Sequence, residues 1–122
     1  MNKPNIQILR NFIATLNPSK FDMRFLRTER ECGTVCCLDG WAIHLAAHDF
    51  KAKPQPQAVW GEGWLGLTVA QSNVLFTPPG FMNDGAYLPI DALFALDSLL
   101  KADDDTKLPV WPKSCPRNAL CS

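Results

Sequence analysis

Ten prolines are spread over this chain of 122 residues, and they limit how long any helix or strand can be. Proline lacks the backbone N–H and clashes with the preceding helical turn, so it is found at the start of a helix or in a loop. Pro4 and Pro89 stand where helices can begin. Pro18 and Pro78 each follow an apolar run after one polar residue and terminate it. The sequence therefore predicts several short elements.

Four segments have the apolar spacing that is typical of amphipathic helices. We expect these helices at residues 4–16, at 35–48, from 68 through 76, and from 89 onward. Thr34 is the predicted N-cap of the second helix, and Thr68 with Gln71 forms a capping box for the third. The predicted buried face of the fourth helix comprises Ile90, Leu93, Phe94, Leu96 and Leu100.

These elements predict an all-α (mostly) fold, a small single-domain bundle of about four short helices joined by long loops rich in proline and glycine. Residues 21–25 alternate apolar and polar, but no second alternating run could pair with them, so an extended connector is favoured over a strand. Residues 51–66 are predicted to be a loop. We expect residues 1–105 to form the helical domain and residues 106–122 a Pro-rich extended or disordered tail.

Charge and hydropathy argue against two classes of partner, nucleic acids and membranes. Twelve basic and twelve acidic side chains give zero net charge, and no basic stripe is present, so nucleic acid is not favoured. No apolar run approaches the ~20 residues of a membrane span. The amino terminus also lacks the apolar stretch of a signal peptide. We therefore expect a cytoplasmic protein whose five cysteines stay reduced.

Residues 32–48 hold three cysteines and both histidines, in the spacing Cys-x3-Cys-x7-His-x3-His. These residue types are ligands for zinc. A continuous helix would nevertheless separate Cys37 from His44 by about 10 Å along its axis, whereas zinc ligands lie ~2.0–2.3 Å from the metal. No cofactor is therefore favoured. A metal-binding regulatory module is kept as an alternative, with candidate ligands Cys32, Cys36, Cys37, His44 and His48.

The same segment raises a thiol hypothesis. Cys36 and Cys37 are predicted to lie in the first turn of the second helix, where the helix dipole lowers a thiol pKa. A nucleophile also needs a base within hydrogen-bond reach, and the histidines lie two or three turns away. A thiol-dependent enzyme or redox sensor is the second alternative, whereas buried packing cysteines are favoured. Gly40 is predicted to lie where another backbone or a ring approaches closely.

Large aromatic side chains are the candidates for contact with another protein. The residues concerned are Trp60, Trp64, Phe81 and Trp111. They could be exposed for partner binding, or they could anchor the long loops on the core, as large aromatics commonly do. The sequence leaves both readings open.

One motif resembles a known group of proteins. The residues Cys32-Gly33-Thr34, followed by Cys37 and by Gly40-Trp41-Ala42, form the pattern C-G-T-x-x-C-x-x-G-W-A. This pattern resembles that of small uncharacterised proteins found in bacteriophages and prophages. Residues 21–23, 65–67 and 75–76 are also similar, so the resemblance spans residues 21–76. It implies a small phage accessory protein and no particular activity.

No catalytic set is assembled in the sequence, since no two carboxylates have a spacing that pairs them for acid–base work. We therefore expect a small non-enzymatic protein-interaction protein. For a phage-encoded protein, the resemblance implies a host protein as the partner, which it would modulate or inhibit, for example a defence component, in the host cytoplasm. The oligomeric state cannot be read from the residues.

Overall fold

The computed structural model describes residues 1–30, 33–49, 61–82, 87–104 and 106–112. Within these ranges the chain forms five α-helices and one two-stranded antiparallel hairpin. The elements, in chain order, are α1 (Lys3–Thr15), a 3-10 turn (Pro18–Lys20), β1 (Thr28–Arg30), β2 (Gly33–Val35), α2 (Leu38–Asp49), α3 (Gly61–Leu65), α4 (Val69–Phe76) and α5 (Pro89–Leu100). The fold is broadly helical, as predicted, but the hairpin means that it is not a clear all-α bundle.

Helix α1 confirms the first predicted helix. The Asn2 side chain accepts a hydrogen bond from the Asn5 amide and caps the first turn, in which proline also stands. The apolar residues at spacings of three and four are fully buried, namely Ile6, Leu9 and Ile13. This burial anchors one face of α1 in the core.

Helices α1 and α5 pack side by side in antiparallel directions. Arg10 on α1 pairs with Asp97 on α5 at 3.0 Å between Nε and Oδ1. At the start of α1, the Lys3 ammonium donates to the carbonyl of Ala102, just beyond the end of α5, at 2.6 Å. These two contacts fix the relative direction of the pair, which forms one side of the core.

Helix α4 begins with the capping box that the sequence predicts. The Thr68 hydroxyl accepts from the Gln71 amide at 3.1 Å, and the Gln71 side chain accepts from the Thr68 amide at 3.0 Å. The side-chain nitrogen Nε2 of buried Gln71 also donates to the carbonyl of Lys107 at 2.9 Å. Gln71 thus joins α4 to the segment that follows α5.

Residues 106–112 lie against the helices. The Val110 amide donates to the Ser98 hydroxyl at 2.8 Å, and the Trp111 ring nitrogen donates to the Val74 carbonyl at 3.0 Å. The ring of Trp111 also meets the edge of Tyr87 at 4.9 Å between centroids. The predicted tail therefore begins as a segment docked on α4 and α5. Residues 113–122 lie outside the described residues.

The hairpin corrects two sequence predictions. Strands β1 and β2 pair in the register Thr28↔Val35, Glu29↔Thr34 and Arg30↔Gly33, so residues 33–35 are a strand and α2 begins only at Leu38. Thr34 is therefore not a helix N-cap. Its hydroxyl donates across the hairpin to the Glu29 carboxylate at 3.0 Å instead. The connector prediction for residues 21–25 is confirmed apart from one isolated bridge between Phe21 and Cys36.

Helix α3 corrects the predicted loop at 51–66, because residues 61–65 are helical, while residues 51–60 lie outside the described part. Its Trp64 and Leu65 are buried in the core. The Asn5 side chain donates to the Trp64 carbonyl at 2.8 Å and holds α3 against α1. In the described ranges no helix has both the length and the apolar character needed to cross a membrane.

Candidate functional site

Cys36 and Cys37 lie at the junction between β2 and α2, and both are buried free thiols. Their backbone amides bond to the end of the 3-10 turn and to the segment 21–27 between that turn and β1, which we call the connector. The Cys36 amide donates to the Lys20 carbonyl at 3.2 Å, and the Cys37 amide donates to the Phe25 carbonyl at 2.7 Å. The helix does not begin at Val35, as the sequence predicted, because residues 33–35 pair with β1 and the Cys36 carbonyl accepts from the Asp22 amide at 3.1 Å.

Gly40 in the first turn of α2 is the point where the connector touches the helix. A Cβ atom at this position would overlap the Leu26 carbonyl oxygen and would lie 2.8 Å from the Cβ of Cys36. The close approach of another backbone, predicted from the cost of a glycine inside a helix, is confirmed. Gly40 therefore lets the connector and the hairpin lie directly on α2.

Burial makes both thiols harder to ionise. Burial, together with a smaller effect of neighbouring Cys37, raises the pKa of Cys36 from its ordinary value of 9.0 to about 11, although the charge of Arg27 opposes the shift. Burial also raises the pKa of Cys37, although the Gly40 amide donates to its sulfur at 3.4 Å. The predicted position in a first helical turn, with a lowered pKa, is wrong because both residues precede α2.

We expect Cys36 and Cys37 to react slowly with a soluble disulfide reagent at pH 7 in the folded protein. The raised pKa of Cys36 alone lowers its thiolate fraction about 100-fold, and the thiolate is the reacting form. The test uses a variant with Cys32, Cys115 and Cys121 replaced by serine, labelled with and without denaturant. Equal rates in the two conditions would contradict the burial of these thiols.

A half-open groove of about 230 Å³ lies between α2 and the hairpin. One wall is the face of α2 formed by positions i, i+3, i+4 and i+7, which are Gly40, Ile43, His44 and Ala47. The opposite wall comes from the connector and from β2 with the residue after it, and comprises Leu26, Arg27, Thr34 and Cys36. Four residues of the segment 32–48, namely Thr34, Cys36, Gly40 and His44, therefore border a cavity, although none of them was predicted to do so.

The ring of His44 stands at this groove and is packed by aromatic neighbours. Its centroid lies 5.5 Å from that of Trp41, edge to face, and 6.3 Å from that of Phe12. The Trp41 ring nitrogen donates to the Lys20 carbonyl at 3.0 Å. This aromatic cluster holds α2 against α1 and the connector, and it orients the imidazole.

The structure assembles no zinc ligand set from the residues it describes. Among those residues, no three His, Cys, Asp or Glu side chains come close enough to hold one ion. Cys36 and Cys37 face the core, whereas His44 is exposed. Cys32 and the side chain of His48 lie outside the described part, so the metal alternative stays a prediction.

The aromatic residues proposed for partner binding are distributed unevenly. Trp64 is buried in the core, and Phe81 and Trp111 are half-buried against it. Trp60 lies outside the described residues. Trp64 leaves little ring surface for another protein to contact, while Phe81 and Trp111 keep part of theirs. Their role in partner binding stays a prediction.

The outer face of α5 carries an apolar surface that the sequence placed in the core. Ile90 is 69% exposed and Phe94 54% exposed, whereas the buried face comprises Pro89, Asp91, Ala92, Ala95, Leu96 and Leu99. The predicted burial of Ile90 and Phe94 is wrong, and Leu93 and Leu100 are only half-buried. Small Ala92 and Ala95 face inward, and the Asp91 carboxylate turns inward to accept from the Leu88 amide at 2.8 Å.

Val110 extends this surface by a third side chain. It is 56% exposed, and its amide is held by Ser98, one helical turn beyond Phe94 on the same face of α5. We refer to Ile90, Phe94 and Val110 as the α5 patch. In the sequence, the small residues Ala92 and Ala95 and the first-turn aspartate Asp91 are the signals that could have indicated this patch.

Comparisons of the sequence with protein family models, with curated proteins and with solved structures give no match.

Proposed function

We propose that this protein is a non-enzymatic protein-interaction protein that contacts its partner through the α5 patch. The observation that carries the proposal is a pair of large, exposed apolar side chains on one face of α5, Ile90 and Phe94, with exposed Val110 held at the same face by the Ser98 hydroxyl. Single exposed apolar residues are ordinary, but a contiguous patch marks a surface that another molecule covers. Removal of such apolar surface from water favours binding.

The patch stands on a rigid support, which favours binding. Leu96 and Leu99 fix the inner face of α5 in the core, and the Arg10–Asp97 pair joins the helix to α1. Since α5 is already ordered, little conformational entropy is lost when a partner docks. Lys101 and the Arg10–Asp97 pair add charged groups beside the apolar centre, as in many interfaces.

The non-enzymatic part of the proposal is supported by the state of the thiols. Cys36 and Cys37 are buried, and their raised pKa values favour the protonated form, which is a poor nucleophile. The resemblance to bacteriophage proteins supports a host protein as the partner. For a phage accessory protein, binding of this kind would modulate or inhibit a host component, such as one used in defence.

The test compares capture of bacterial proteins by the purified chain and by two variants. Ile90→Ser with Phe94→Ser removes the centre of the patch, whereas Val69→Ser removes a 76% exposed apolar side chain on α4 and serves as the matched control. We expect wild type and Val69→Ser to capture the same protein. The double variant should bind it at least about 30-fold more weakly, because loss of central apolar contacts costs ~2 kcal/mol or more.

The affinities are measured by calorimetry with the captured protein after purification. Equal affinity of the double variant and the wild type would overturn the assignment of the α5 patch. Failure of the wild-type protein to capture any protein from the bacterial lysates would count against the interaction function itself.

A further inference from the structure

The groove between α2 and the hairpin has no part in the function proposed above. We propose that this groove binds a compact apolar molecule that carries one carboxylate, with the apolar body against α2 and the carboxylate beside Arg27. The proposal is independent of the α5 patch, because the groove is formed by other elements, namely α2, β2 and the connector.

The interior of the groove suits an apolar group. Ile43 and Ala47 line it from the helix, Leu26 lines it from the connector, and Cys36 lines it beside β2. Gly40 contributes a wall without a side chain. Because burial keeps the Cys36 thiol protonated at neutral pH, this sulfur behaves as an apolar surface. An aromatic ring or a short branched chain is the body that such walls recognise.

The size of the groove limits the ligand. Its volume of about 230 Å³ is below the ~300–1,000 Å³ typical of pockets for drug-sized ligands. The groove therefore holds a group of about the size of one ring with a short chain. Its half-open shape leaves one end of such a molecule at the surface, where a charged group keeps its contact with water.

The charge at the groove favours an acid. Arg27 lines the groove, and its Nε donates to the Glu29 carboxylate at 3.3 Å. Both side chains of this pair are about two-thirds exposed, at 66% and 63%, so the pair contributes little stability and can rearrange. A guanidinium has five N–H donors, so Arg27 can bind Glu29 and a ligand carboxylate together.

The walls are held in place before any ligand binds. The Trp41 and Phe12 rings pack against His44, and the contact of Gly40 with the Leu26 carbonyl fixes the connector on the helix. Thr34 and His44 add further polar groups to the groove lining. A site with such fixed walls loses less entropy on binding than a flexible loop.

The test is an NMR titration of the ¹⁵N-labelled protein with 3-phenylpropionate and with its neutral amide, 3-phenylpropanamide. We expect the acid to shift the amide signals of Gly40, Ile43, His44 and Ala47. The amide should bind at least about 10-fold more weakly, in line with the strength of a charge-assisted hydrogen bond. Arg27→Gln should bring the affinity for the acid down to that for the amide.

Two substitutions locate the binding. Ala47→Phe places a ring in the groove from an exposed helix position and should abolish the shifts, whereas Ala70→Phe, on the exposed surface of α4, should leave them unchanged. The variant with Ile90→Ser and Phe94→Ser should bind the acid like the wild type. Unchanged binding by Ala47→Phe, or equal affinities for acid and amide in the wild type, would overturn the proposal.

Discussion

Replacement of Gly40 by alanine is expected to lower the free energy of unfolding by about 2 kcal/mol or more. In an unconstrained helix the same change would stabilise by about 1 kcal/mol, because alanine is the better helix former. Here the added methyl group would overlap the Leu26 carbonyl oxygen, and a backbone atom cannot move aside as a flexible side chain can. Overpacking of this kind typically costs ~1–3 kcal/mol and occasionally more. A loss rather than a gain of stability in Gly40→Ala therefore indicates that the Leu26 carbonyl oxygen lies against Gly40.

Gly63→Ala is the matched control for this prediction. Gly63 lies in α3, and nothing lies within 4 Å of a Cβ atom built at this position. We expect this variant to be as stable as the wild type or up to about 1 kcal/mol more stable. Urea unfolding followed by circular dichroism measures both variants. Equal stability of Gly40→Ala and wild type would mean that the connector does not lie on α2.

Truncation of Leu96 is expected to destabilise the protein by about 2–5 kcal/mol, whereas truncation of Phe94 should change stability by less than about 0.5 kcal/mol. The sequence placed both side chains on one buried face. In the structure the Leu96 side chain is fully buried in the core, whereas Phe94 is 54% exposed. Removal of the Leu96 side chain leaves a cavity, and removal of the Phe94 ring leaves none.

The comparison of Leu96→Ala with Phe94→Ala is made by the same urea unfolding measurement. The two substitutions lie within one turn of the same helix, so a difference between them reports on the orientation of α5 rather than on helix propensity. A loss of stability for Phe94→Ala as large as that for Leu96→Ala would contradict the exposed α5 patch, and with it the surface assigned to partner binding.

Local signals explain which parts of the fold the sequence predicts well. Helix α1 has an apolar stripe and an early proline, α4 has the reciprocal bonds of Thr68 and Gln71, and α5 starts at Pro89. Each signal acts within about four residues of the chain, so it needs no knowledge of distant contacts. The sequence favours buried packing roles for Cys36 and Cys37, and the structure confirms their burial. Cysteine is among the residue types that are most often buried.

The hairpin and the start of α2 depend on contacts between distant residues. Strands β1 and β2 have three residues each, too few to show an alternating pattern. Thr34 has the side chain of an N-cap, yet its hydroxyl bonds to Glu29 across the hairpin. The amide of Cys37 finds its acceptor in Phe25, a partner that local periodicity cannot reveal.

The sequence does not predict the α5 patch, because most residues of α5 are apolar and their spacing does not identify the buried face. On α5 the small side chains of Ala92 and Ala95 face inward, and the large side chains of Ile90 and Phe94 face outward. The sequence does not predict the groove either, because it forms only where the connector and the hairpin pack beside the α2 face that carries Gly40, Ile43, His44 and Ala47. In both cases the surface proposed for binding is defined by tertiary packing rather than by a motif.

The central structural claim is that residues 33–37 lead from a strand into α2, which buries the two thiols and forms the groove. Two-dimensional NMR of the ¹⁵N-labelled protein tests it most directly, through nuclear Overhauser contacts. The structure predicts cross-strand contacts between Glu29 and Thr34, with helical contacts between successive amides starting only at Leu38. Helical contacts that run unbroken from Val35 onward, without any between Glu29 and Thr34, would contradict it.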